Sequence, residues 1–85
     1  MGLVPDVVIP PNFKVPDFEK YKGLTCPRNH LHMYCRKMHA YAHDQKLMIH
    51  YFQDSLSAAS LDWYMQLERT HIRTWADLAN AFIKY

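Results

Sequence analysis

Apolar residues recur along this chain at two different spacings, and the change of spacing divides the chain in two. Residues 1–23 hold short apolar groups separated by prolines, whereas four later stretches place apolar residues three and four positions apart. Proline fixes φ and biases the residue before it against helix, so the first pattern favours extended backbone. The second pattern is typical of amphipathic helices. The sequence therefore predicts an extended Pro-rich N-terminal arm over 1–23 and an all-α domain over 24–85, a small bundle of four short helices.

The predicted helices span about 27–42, 45–56, 58–69 and 75–85. Each begins after a residue whose side-chain oxygen can accept a hydrogen bond from an amide of the first turn. These candidate caps are Thr25, with Cys26 as the alternative, and then Asp44, Ser57 and Thr74. At the last helix Asp77 stands three residues after Thr74, which predicts a reciprocal capping box.

Helical spacing also predicts which side chains form the core. The predicted core residues are Leu31, Tyr34, Met38, Met48, Phe52, Leu56, Ala59, Trp63, Leu67, Trp75, Leu78 and Phe82. Ala59 is expected to let the third helix approach its neighbour closely. Tyr64, beside Trp63, is expected to turn its hydroxyl toward water or a partner, because a buried hydroxyl needs a hydrogen bond.

Composition points to a protein that works by binding. Hydrophobic residues make up 49% of the 85 residues, which is generous for a small domain with an extended arm, and it predicts apolar surface left over for a partner. The formal charge is only +2, and basic residues are spread along the chain. The densest group, Lys20, Lys22, Arg28, Arg36 and Lys37, is diluted by Asp17 and Glu19. We interpret it as a solvated face and expect no direct nucleic-acid binding.

The sequence offers no constellation for catalysis, a cofactor or a metal ion. Cys35, His39 and His43 share one i, i+4 row of the first predicted helix, but a tetrahedral zinc site needs a fourth ligand from elsewhere. Cys26 and Cys35 would lie more than about 10 Å apart on a helix, beyond disulfide reach. With no signal peptide and no apolar run long enough to span a bilayer, we expect a reduced, cytoplasmic protein without membrane contact.

The motifs with the greatest specificity follow Phe52, where the chain reads FQDSLSAASLDWYMQL and then, from Ile72, IRTWADLANAFIKY. Upstream lie three shorter groups: Val15-Pro16-Asp17-Phe18, Tyr21-Lys22-Gly23, and Cys26-Pro27 followed by His30-Leu31. In order and spacing these segments resemble the retrotransposon gag domain of gypsy-type long-terminal-repeat elements, particularly its plant versions. The resemblance covers about residues 13–85.

This resemblance implies a capsid N-lobe-like fold and a non-enzymatic structural role in a gag polyprotein. In that family many copies assemble into virus-like particles, so the implied partners are copies of the same chain and other gag lobes of the parent polyprotein. It also implies that the chain is a fragment cut near the end of its fourth helix. The candidate self-association or groove residues are Val7, Val8, Ile9, Phe13, Val15, Phe18 and Tyr64.

A second interpretation is a domesticated capsid-like module that binds an extended peptide in a hydrophobic groove. Capsid-like domains related to gag accept short peptides between their helices and an N-terminal strand. Here Val4 to Val15 is a candidate occupant of such a groove, because its Pro-Val-Ile content suits a preformed extended ligand. The arm packing in cis, the arm exchanging between two chains as a swapped dimer, and a disordered arm all remain open at this point.

Overall fold

The computed structural model describes residues 3–85, and its regular structure is helical. The α-helices are α1 Pro27–Lys37, α2 Gln45–Phe52, α3 Ala59–Met65 and α4 Trp75–Lys84. Two single 3₁₀ turns, His39–Tyr41 and Gln53–Ser55, follow α1 and α2. Residues 3–26 contain turns and irregular backbone without a helix. The predicted all-α class is confirmed.

The first three helices are shorter than the sequence predicts. The first was expected to reach residue 42 but ends at Lys37, and the 3₁₀ turn that follows brings the chain round to the start of α2. The second was expected to reach Leu56, and it tightens into a 3₁₀ turn after Phe52. The third ends at Met65 rather than at residue 69. Apolar spacing continues past each end, so periodicity alone overestimates the lengths.

One parallel β-bridge explains where α3 begins. The amide of Tyr21 donates to the Ser55 carbonyl (2.8 Å) and the amide of Ser57 donates to the Tyr21 carbonyl (3.1 Å), which pairs Tyr21 with Leu56. The Ser57 hydroxyl also donates to the Tyr21 carbonyl (3.4 Å) and does not cap α3. Ala58 is the N-cap instead, with a φ of 54° and no side-chain hydrogen bond.

Two of the four predicted caps are confirmed. The Asp44 carboxylate accepts from the Leu47 amide (3.1 Å) at the start of α2. Thr74 and Asp77 form the full capping box of α4, and the amides of Arg73 and Thr74 hold the pKa of the Asp77 carboxyl below its usual value. Thr25 was a wrong prediction, as was Ser57. The N-cap of α1 is Cys26, which makes no side-chain cap.

The core lies where α4 packs against both α1 and α2. Most of the predicted core residues are buried there, and Trp63, Leu67 and Trp75 pack against it while remaining partly exposed. Ala59 was a wrong prediction, because it is exposed. α3 starts one residue later than its predicted cap implies, which leaves Ala59 at the exposed first position of the helix.

Aromatic rings from four parts of the chain meet the ring of Phe82 at the centre of this core. Phe82 of α4 contacts four rings, with centroid distances between 4.9 and 5.8 Å. These rings belong to Tyr21 before α1, His30 of α1, Phe52 of α2 and Trp63 of α3. Edge and tilted ring contacts of this kind add to the energy of burial. The cluster therefore holds the helices and residues 3–26 in one unit.

Candidate functional site

The last turn of α2 is closed by three side chains that come from outside the helix. The final four carbonyls of an α-helix lack intrahelical partners. Here the Tyr64 hydroxyl donates to the Ile49 carbonyl (2.8 Å), the Gln53 amide to the His50 carbonyl (2.9 Å), and the Ser55 hydroxyl to the Phe52 carbonyl (2.7 Å). This arrangement lets α2 end inside the core.

Tyr64 is therefore not the exposed contact residue that the sequence predicts. Its side chain is only 1% exposed, and burial raises the pKa of its hydroxyl above the usual value. The sequence alone indicates that Tyr64 needs a hydrogen-bond partner, because a tyrosine whose ring is buried still has a polar hydroxyl. Residue spacing does not show that this partner is the Ile49 carbonyl.

His30 is buried in the core, where its ring both packs and hydrogen-bonds. Its Nε2 lies 3.0 Å from the Ser55 hydroxyl oxygen. Because the single hydroxyl proton of Ser55 is donated to the Phe52 carbonyl, the Ser55 oxygen accepts here, and Nε2 carries the proton of a neutral imidazole. Burial lowers the pKa of His30, and the nearby Glu19 opposes that shift in part.

Acidification is expected to destabilise the domain through His30. The unfolded chain takes up this proton near pH 6.5, whereas the folded chain, with a lowered pKa, does so only at lower pH. The stability from the neutral ring is therefore complete above about pH 6.5 and is lost as the pH falls through the folded pKa. We expect the melting temperature to fall on going from neutral to mildly acidic buffer, while the carboxyl groups are still ionised. In His30→Gln this fall should be smaller, since glutamine does not titrate.

The exposed histidine of the same helix supplies the control. His32→Gln removes one histidine from the solvent-facing side of α1, so its melting temperature should follow that of the unaltered chain across the same pH range. Equal slopes for His30→Gln and the unaltered chain would mean that His30 does not carry the effect.

The N-terminal segment, residues 3–20, lies against the helices of its own chain. Leu3 and Val4 are buried in the core, and Val7 packs on its edge. Two polar contacts hold the segment as well: the Lys46 ammonium bonds the Asp6 carboxylate (2.6 Å), and the Lys37 ammonium bonds the Asp17 carbonyl (2.6 Å). The bond to Lys46 also lowers the pKa of Asp6. Neither Leu3 nor Lys46 was predicted to make such a contact, and Lys37 was expected to lie on a solvated face.

The other candidate residues of this segment divide into two groups. Phe18 is buried against Tyr34, and Phe13 packs between the rings of Tyr41 and Tyr51 at 4.8 and 4.9 Å. These two candidate residues therefore pack against their own chain and anchor the segment. Val8, Ile9 and Val15 instead face solvent, with 80%, 49% and 47% of their surface exposed. They form the exposed apolar row of the segment.

A groove runs between α1 and residues 19–25. Its wider part encloses about 730 Å³ and its narrower part about 520 Å³, and both parts share Asn29 and Met33. Five of the α1 residues that line it are spaced i, i+3, i+4, i+7 and i+8, so they belong to one helix face; they are Asn29, His32, Met33, Arg36 and Lys37, and His30 also lines the wider part. Sequence reasoning interpreted several of these residues as a diluted, solvated face.

Metal and disulfide chemistry have no visible site in residues 3–85. Three or more His, Cys, Asp or Glu side chains do not converge there in a metal-binding arrangement, and the turn at His39–Tyr41 interrupts the predicted row of Cys35, His39 and His43. Both cysteines are free, and burial raises the pKa of Cys35. Over the same residues, no helix combines the length and apolar character that crossing a bilayer requires.

Comparisons with protein-family models, with curated proteins and with solved structures find no match to this chain.

Proposed function

We propose that this chain is the N-terminal lobe of a retrotransposon gag capsid region. It is a non-enzymatic domain that contributes to self-assembly into virus-like particles in the cytoplasm, and its partners are further copies of itself and other lobes of a gag polyprotein. Weak contacts between copies suffice for this role, since a shell multiplies each contact by the number of copies.

The proposal rests on one observation: aromatic residues from the motifs that resemble the gag domain contact one another in the core. Tyr21, His30 and Phe82 come from three separate motifs, and Phe52 and Trp63 come from a fourth. Their rings form one contact cluster in the core. The motif pattern therefore corresponds to one folded unit of the protein.

The exposed apolar row of Val8, Ile9 and Val15 is the surface that we assign to self-association. Val8 and Ile9 are adjacent along the chain, and neighbouring exposed apolar side chains are more typical of a contact site than isolated ones are. The segment itself is anchored by Leu3, Val4 and Phe13, so the row is presented on a defined backbone.

Light scattering coupled to size exclusion tests this assignment. From micromolar to millimolar concentrations, the weight-average mass is expected to rise above that of a monomer, and the double variant Val8→Ser/Ile9→Ser should shift the rise to higher concentration. Met65→Ser is the matched control, because Met65 is also an exposed apolar residue (53%) but lies on α3. A monomeric mass at every concentration would contradict self-association by this domain.

The burial of Leu3 and Val4 favours the second candidate, a capsid-like module that binds an extended peptide. An apolar segment packs here on the helices of its own chain, and a peptide bound by such a module would likewise pack its apolar side chains on the helices. The same chromatography distinguishes the two functions when it is run on a chain that lacks residues 1–12. Loss of a dimer on deletion supports self-association through the segment. A monomer that gains binding of a hydrophobic dye, and loses it when a peptide of residues 1–12 is added back, supports the peptide-binding module.

A further inference from the structure

We infer that the groove between α1 and residues 19–25 is a docking surface for an acidic, extended segment of a partner protein. The inference is independent of the proposed function, since it uses neither the exposed apolar row nor self-association. It rests on the charge, shape and lining of the groove.

Charge is the first property that identifies the occupant. Four basic residues and one carboxylate, Glu19, line the groove, which gives a net charge of +3 with histidines neutral, more than the +2 of the whole chain. The basic residues are Lys20, Lys22, Arg36 and Lys37. Within residues 3–85 the ion pairs are Asp6–Lys46 and Glu68–His71, so the groove cations have no carboxylate partner in this part of the chain.

The basic residues keep their binding capacity despite their contacts within the chain. The ammonium of Lys20 donates to the Asp54 carbonyl (2.9 Å), and that of Lys37 to the Asp17 carbonyl. Each contact uses one of three ammonium donors and leaves the positive charge uncompensated, since a carbonyl is neutral. The contacts therefore fix the two ammonium groups in place on the walls of the groove.

The shape of the groove favours an extended chain over a compact ligand. Its two parts follow one another along α1 and share Asn29 and Met33. A small-molecule pocket is usually one concave, mostly apolar cavity; this groove is also lined mostly by apolar surface, but it extends along α1 in two parts and four cations line it. Leu24, 88% exposed, and Met33 give it an apolar patch that fits an occasional apolar side chain of the partner.

The lining argues against single-stranded RNA as the occupant. RNA grooves combine cations with exposed aromatic rings on which bases stack. Of the aromatic lining residues, Tyr21 and His30 are both 7% exposed and are engaged in the core, so His32 supplies the one exposed ring. The other exposed side chains are mostly cations, an amide and aliphatic groups, which suit carboxylates and aliphatic residues.

Fluorescence anisotropy with a labelled peptide of glutamates interrupted by leucines tests the inference. The peptide is expected to bind at low salt and to weaken as salt is added, because exposed charges are screened. The double variant Lys22→Glu/Arg36→Glu, with one reversal in each part of the groove, should weaken binding by about tenfold or more. Circular dichroism should remain that of the unaltered chain, because both side chains are exposed.

Matched controls make the result decisive. Lys14→Glu/Arg69→Glu makes the same change of net charge at exposed positions outside the groove, and it should weaken binding by no more than about twofold. Four results would overturn the inference: no binding of the glutamate peptide, equal binding of a glutamine peptide, equal weakening by the control variant, or tighter binding of a uridine oligonucleotide than of the peptide. The last result would identify the groove as a nucleic-acid surface.

Discussion

Phe82→Ala is expected to reduce the free energy of unfolding by about 3–5 kcal/mol, the largest effect of any single substitution considered for this chain. The Phe82 side chain is 1% exposed and contacts the rings of Tyr21, His30, Phe52 and Trp63. The four rings belong to four different parts of the chain, so removal of the Phe82 ring leaves a cavity where these parts meet. For 85 residues a typical total stability is about 4–13 kcal/mol, so the variant should be marginally folded.

Urea unfolding followed by circular dichroism measures this effect as a shift of the midpoint. Phe82→Leu keeps most of the apolar volume, and it should unfold at a midpoint between those of the unaltered chain and Phe82→Ala. Asn80→Ala, an exposed position on the same helix, should change the free energy by no more than about 0.5 kcal/mol. If Phe82→Ala cost no more than Asn80→Ala, the aromatic cluster would not be the centre of the core.

The fold class and the order of the helices could be predicted because they depend on local chemistry. Apolar spacing located the four helices, and short-range hydrogen bonds located two of their starts, at Asp44 and Thr74. Both caps join residues three positions apart, so the sequence contains the whole interaction. The predictions failed where the decisive partner lies far along the chain. Ser57 looks like a cap, yet its amide is bound by Tyr21, 36 residues away.

The same distinction explains which site residues could be predicted. Phe13 and Phe18 were predicted as groove or contact residues, and the surface that they cover belongs to their own chain. The groove along α1 could not be predicted because its cations come from two segments, residues 20–22 and 36–37, that the fold brings to its wider and narrower parts. Along the sequence Asp17 and Glu19 dilute these cations. In space, Glu19 is the carboxylate that lines the groove.

The second large effect is expected at Tyr64, where removal of one oxygen atom should cost more than the same removal at Tyr34. Both hydroxyls are buried and donate to neighbouring carbonyls of α2, Tyr34 to Met48 (2.7 Å) and Tyr64 to Ile49 (2.8 Å). The two carbonyls differ in whether they also accept a backbone hydrogen bond. Met48 lies four residues before Phe52 within α2, so its carbonyl also accepts the helical hydrogen bond from the Phe52 amide.

Ile49 lies in the last turn, and its carbonyl depends on Tyr64. The amide of Gln53, which would bond this carbonyl in a continued α-helix, donates to the carbonyl of Tyr51 instead. Tyr64→Phe therefore leaves a buried acceptor without a partner, which costs about 1–3 kcal/mol. Tyr34→Phe removes the second of two bonds to its acceptor, and we expect a cost of about 0.5–1.5 kcal/mol.

Urea midpoints of the two variants, measured in one buffer, decide between these expectations. A larger loss in Tyr64→Phe would mean that the end of α2 is stabilised by side chains that reach it from other elements. Equal losses would mean that burial of the hydroxyl, rather than the state of the carbonyl it bonds, sets the cost. A larger loss in Tyr34→Phe would contradict the assignment of the Ile49 carbonyl as an acceptor that depends on Tyr64, and α2 would then have to end by some other set of hydrogen bonds.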